Sequence, residues 1–155
     1  MTASRSDLPS TTDCLVCQEN SGEFKVPGGF LHSDKWTFAF HVPPIRSAET
    51  YSGHLLITSR RHTPDYASLH DDEAASVGRE TARWSRALKS LGAERVYVAV
   101  VGHGVPHLHV NLLPRWPGTP DTVPWCTVDD WTGAARIDFS EAGAFVARLR
   151  ALDGA

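Results

Sequence analysis

The stretch from His103 to Arg115, HGVPHLHVNLLPR, constrains the fold more than any other. Its apolar residues alternate: Leu108, Val110 and Leu112 fall on one face of a strand, and His107, His109 and Asn111 on the other. The run Arg95-Val-Tyr-Val-Ala-Val-Val101 just before it is rich in β-formers, and a glycine-bearing turn over 102–106 joins the two. That pattern predicts an antiparallel pair of strands, 95–101 and 107–113. Three polar groups spaced roughly 7 Å apart on one face need partners or a purpose.

Further elements follow from local signals. Short strands are expected over 29–32, 36–41 and 54–58, with a turn at Ser33-Asp34-Lys35 and a proline-rich loop between the last two. A short helix is expected to start at Thr63, with Thr63 as N-cap and Pro64 at its first position. A long helix should cover 71–91, opening on Asp71, Asp72 and Glu73 and closing near Lys89 and Gly92. Its apolar residues Ala75, Val77, Ala82, Trp84, Leu88 and Leu91 make only a rough helical stripe. A C-terminal helix is expected over 140–152, with Ser140 as N-cap. The fold class is therefore α+β: a mostly antiparallel sheet of about five strands, one long helix, a short helix and a C-terminal helix. Residues 1–12 read as a flexible leader and 13–155 as a single domain.

Bulk properties narrow the functions. The chain has 155 residues, 41% of them hydrophobic and 21% charged, and carries a formal charge of −3. That balance argues against a nucleic-acid partner, which needs a basic surface. No apolar run is long enough to cross a membrane, and the polar N-terminus lacks a secretory h-region, so a cytoplasmic location is expected. Cys14 and Cys17 form a C-x-x-C, with Cys126 far away; an odd count makes a poor disulfide framework, so metal binding or a redox pair are the better readings. For the clustered histidines the chemistry offers metal ligation, general acid–base work or nucleophilic attack on phosphorus.

The segment His107-Leu-His109-Val-Asn111-Leu-Leu-Pro-Arg115 resembles the signature of the histidine triad (HIT) superfamily. Gly53-His54-Leu-Leu-Ile-Thr-Ser-Arg-Arg-His62 is similar to that family's upstream Gly-His block, with Ser59 where proline is usual. Trp36-Thr-Phe-Ala-Phe40 resembles its early strand, and the C-x-x-C suits many bacterial members. The likeness spans residues 14–115 and has features of the galactose-phosphate uridylyltransferase-like, zinc-containing branch.

The resemblance implies a HIT-like fold and a small-molecule nucleotide substrate cleaved at its α-phosphate. His109 would be the nucleophile, its other ring nitrogen donating to a backbone carbonyl. Asn111, at a position held by glutamine in the uridylyltransferase branch, would orient a phosphate, and His103 would protonate the leaving group. His54, Gly104 and Arg115 would contact substrate, while Cys126 and the tryptophans of 116–131 could wall the pocket. Cys14, Cys17, His62 and His107 would hold a structural zinc ion. A homodimer is expected from the family's habit. One departure stands out: the acid that binds ribose hydroxyls in many members is missing after the Ala-Phe strand, where the chain reads Phe40-His41-Val42, and Glu49 is the nearest substitute. A zinc-stabilised nucleotide-binding or regulatory protein without turnover is the alternative.

Overall fold

The computed structural model describes residues 13–153, so the expected leader lies outside the described residues. Its main sheet has five antiparallel strands: β1 (His32–Ser33), β2 (Thr37–His41), β4 (Leu55–Ser59), β5 (Arg95–Ala99) and β6 (His109–Arg115), in the order β1-β2-β4-β6-β5. A second, two-stranded ribbon pairs β3 (Thr50–Tyr51) with β7 (Arg136–Ile137). Among the described residues there are three α-helices: α1 (Leu15–Ser21), α2 (Asp71–Ser90) and α3 (Phe139–Asp153). The expected α+β architecture is present, with its long and C-terminal helices.

Alternation sorts the sheet's faces. Ala39, Leu55, Ile57, Leu108, Val110 and Leu112 point to one side and pack on Val77, Trp84 and Leu88 of α2 and on Phe145 and Leu149 of α3. Burying such side chains contributes about 1.5–3 kcal/mol each. The opposite face is covered over β2, where Phe38, Phe40 and Leu56 meet Phe30 and Val26. Over β6 that face carries the half-buried His109 and Asn111.

Several local expectations shift. The strand expected at 29–32 shrinks to His32–Ser33, held by the Asp34 carboxylate, which accepts the backbone N–H of Trp36 and Thr37 at 2.6 and 2.7 Å. The helix expected at Thr63 is a single 3-10 turn, Tyr66–Ser68, whose cap is Asp65 rather than Thr63; the Thr63 side chain is buried. Likewise α3 begins with a reciprocal box: Glu141 N–H donates to Asp138 Oδ1 and Asp138 N–H to Glu141 Oε2, both at 2.9 Å, so Asp138 takes the capping role expected of Ser140. The β5 ladder stops at Ala99, opposite Asn111, leaving Val100 and Val101 exposed.

Gly53 shows why the turn into β4 needs glycine. Its φ is +81°, and an added Cβ would stand 2.9 Å from Trp116 and 3.0 Å from Pro114. The turn thereby brings the sheet's third strand close under the loop that follows β6.

Candidate functional site

Four side chains from three distant parts of the chain converge first. Cys14 caps α1, Cys17 lies in its first turn, His62 follows β4, and His107 precedes β6. Their donor atoms all lie within 4.8 Å of one another. His107 Nδ1 is 3.4 Å from both sulfurs, and His62 Nδ1 is 3.3 Å from Cys17 Sγ. A tetrahedral zinc with bonds of about 2.3 Å to sulfur and 2.0 Å to nitrogen sets such edges at about 3.5 Å. The tautomer agrees. His107 Nε2 lies 2.7 Å from the Ser59 carbonyl, which can only accept, so the proton is on Nε2 and Nδ1 offers its lone pair to the sulfurs. Burial holds the ring neutral, with a pKa lowered to about 4. Burial also pushes the Cys17 thiol up to about 11, with Cys14 adding to the shift, so a cation is what would make the Cys17 sulfur a thiolate. The residues fit a structural zinc, with four protein ligands and no position left for water.

The C-x-x-C is thus not a free-standing knuckle. It straddles the start of a helix that the sequence does not announce, and that helix is pinned to the sheet. Asn20 donates to the Ser59 carbonyl at 3.1 Å and accepts from Thr58 Oγ1 at 2.8 Å. Ser59's carbonyl therefore receives both α1 and the His107 ring.

One pleat further on, His109 Nδ1 lies 2.7 Å from the His107 carbonyl. The same reasoning places a proton on Nδ1, so in the neutral ring Nε2 is the nitrogen with the free lone pair. His109 lines a cavity of about 890 Å³, together with His54, Asn111, Cys126 and Asp129. Tyr51, Leu56 and Val101 add apolar wall, and Glu49 and Arg46 lie on it too. The mixture of apolar surface and a few polar groups suits a small ligand.

Asn111 is held on both sides. Its Nδ2 donates to the Ala99 carbonyl at 3.2 Å, and its Oδ1 accepts from His54 Nε2 at 3.0 Å. The Ala99 carbonyl fixes the amide's orientation, and the amide oxygen in turn fixes His54 as the Nε2–H tautomer. Burial lowers the His54 pKa, offset in part by the Asn111 bond and the nearby Asp129 charge, so it too sits neutral.

Not every expected residue joins this group. His103 is exposed on the turn before β6, and neither it nor Gly104 lines the cavity. Arg115 is buried at the far end of β6, where its guanidinium donates to the carbonyls of Thr119, Pro120 and Val123, and it is not in the His109 cavity either. The reason is strand length: six residues at 3.3 Å put Arg115 about 20 Å from His109. Cys126 does reach the cavity, while Asp129, half-buried and without a hydrogen-bond partner for its carboxylate among the described residues, was not singled out by the sequence. The segment Asp129-Asp130-Trp131 carries only a loose family echo that assigns Asp129 no role, and it is the folded loop that brings the residue into the His109 cavity.

The HIT domain model matches residues 31–118, more than half of the chain. An uncharacterised HIT-like protein of Methanocaldococcus jannaschii is 25% identical over 115 residues, covering 71% of this chain and 84% of the relative. Among solved structures, a zinc-bound histidine triad family protein from Mycobacterium smegmatis superposes with a TM-score of 0.69 at 21% identity, covering 94% of this chain and 99% of that one. A hypothetical histidine triad nucleotide-binding protein from Sulfolobus tokodaii gives 0.67 at 19% identity, covering 89% and 90%. Motif, architecture and site geometry agree with these matches, and the chain belongs to the HIT domain family.

Proposed function

We propose that this chain is a nucleotide hydrolase or nucleotidyl transferase acting at the α-phosphate of a nucleotide conjugate, of the dinucleoside polyphosphate or nucleoside phosphoramidate type. The observation that carries the reading is the bare Nε2 of His109 in a cavity of ligand size, its ring held by the His107 carbonyl at 2.7 Å. In this scheme Nε2 attacks phosphorus, an N–P bond forms, and the bond to the leaving group breaks with its electron pair leaving on that group. Water or another acceptor then attacks the same phosphorus, and the N–P electrons return to Nε2. Zinc supplies no step; it fixes His107, whose carbonyl aims the nucleophile. Asn111 retains a second amide hydrogen that can donate to a phosphate oxygen. Asp129 supplies the carboxylate missing after β2, where it can accept sugar hydroxyls.

A second reading rests on Asn111. Its amide cannot take a proton, and both its ends are already engaged with Ala99 and His54. A nucleotide-binding or regulatory protein without turnover fits that feature. Turnover and binding across a panel of nucleotide conjugates separate the two. The enzyme reading expects wild type to turn over at least one conjugate and His109→Ala to bind it without turnover. Binding with no turnover by either protein supports the second reading.

A further inference from the structure

On the same face of the sheet, about 20 Å along β6 from His109, lies a second cavity of about 420 Å³. Its floor is unusual in charge. Arg95 of β5 and Arg115 of β6 are direct cross-strand partners, an arrangement that opposes pairing of the strands. Neither forms an ion pair among the described residues. Arg115 is only 6% exposed, and its guanidinium meets three carbonyls and the Tyr97 hydroxyl, all neutral. A buried cation facing no anion, beside an exposed one, leaves charge for a ligand to neutralise. Trp125 stands over the cavity, half exposed, its ring 6.3 Å from that of Tyr97. Asp121 also lines the space, without reaching ion-pair distance of either arginine.

We propose that this cavity is a second binding site, for a phosphorylated aromatic ligand of the nucleoside monophosphate class. The phosphate lies against Arg95 with the Arg115 charge behind it, and the base stacks on Trp125. The site is separate from the His109 cavity: the 3-10 turn Trp125–Thr127 divides them, with Trp125 on one side and Cys126 and Thr127 on the other.

The test is titration of the zinc-loaded full chain with adenosine 5′-monophosphate, following the indole N–H resonance of Trp125, assigned by its loss in Trp125→Phe. The expected result is a saturable shift in wild type and in His109→Ala, weakened at least tenfold in Arg95→Ala and reversed by excess inorganic phosphate. Arg95 is exposed at a strand start, so that variant should fold. No shift in wild type, or equal affinity in Arg95→Ala, overturns the proposal. Because His109→Ala is included, a failure of the nucleophile reading shows in turnover and leaves this signal unchanged.

Discussion

The backbone carbonyl of His107 accepts from Nδ1 of His109 at 2.7 Å, while the His107 ring itself points its Nδ1 at two cysteine sulfurs. One residue thus joins the metal cluster to the proposed nucleophile through a single peptide unit. Movement of the cluster therefore moves the ring of His109.

Zinc retention should differ among the ligands. His107 has its second nitrogen on the Ser59 carbonyl, whereas His62 Nε2 is buried with no partner. Such outer partners are worth about 10–100-fold in metal affinity. His107→Ala and Cys14→Ser are expected to lose zinc on dialysis, and His62→Ala to keep it more weakly, as read by metal analysis against a chelator series. Equal retention in His62→Ala and His107→Ala would show that the carbonyl brace is irrelevant.

His41 should make the fold acid-sensitive. The ring is fully buried, donates from Nδ1 to the Val42 carbonyl at 2.9 Å, and accepts the Gly53 N–H on Nε2 at 3.0 Å. Burial lowers its pKa from 6.5 to about 4, and protonation would break the Gly53 bond. The folded value lies below the unfolded one, so the unfolded chain takes the proton first. Stability is complete above pH 6.5 and falls as the pH drops towards 4, by about 3 kcal/mol in all. His41→Gln, which keeps an acceptor and cannot titrate, should flatten that part of the profile in chemical denaturation of the zinc-loaded protein. A variant slope equal to that of wild type would assign the acid loss to other groups.

Asp129→Asn tests the carboxylate proposed to accept sugar hydroxyls. A hydrogen bond to a charged group contributes about 1.5–3 kcal/mol, so KM should rise roughly tenfold or more with kcat much less changed. The enzyme assay on the best conjugate from the panel checks this. A loss confined to kcat would instead place Asp129 in the chemistry.

Much of this was legible in the sequence, because alternation and residue type carry it. The strands around 95–101 and 107–113 follow from apolar spacing, and the Cys₂His₂ set follows from motif positions that the fold brings together. The long helix looked poorly striped because its buried face includes polar residues: Glu73, Ser76, Val77, Glu80, Trp84 and Leu88 form a clean helical series. Each polar member is paired, Glu73 with Arg61, Ser76 with Asp34, and Glu80 with Trp84 Nε1. A hydrophobicity pattern cannot foresee burial by pairing. Helix α1, seven residues long with Cys14 at its cap, is too short to persist alone and is held by burial of Val16 and by the Asn20 bonds to the sheet. Arg115 shows the opposite case, where motif position suggested one site and strand geometry placed the side chain beside another.

The central claim is that Nε2 of His109 forms a covalent bond to phosphorus. Rapid mixing with a reactive nucleotide conjugate, a mildly alkaline quench to preserve the acid-labile P–N bond, and intact-mass analysis tests it directly. The account predicts a mass increase of one nucleotidyl group on wild type, mapped to His109, and none on His109→Ala. Turnover without any such adduct, or an adduct mapped to another residue, would contradict it.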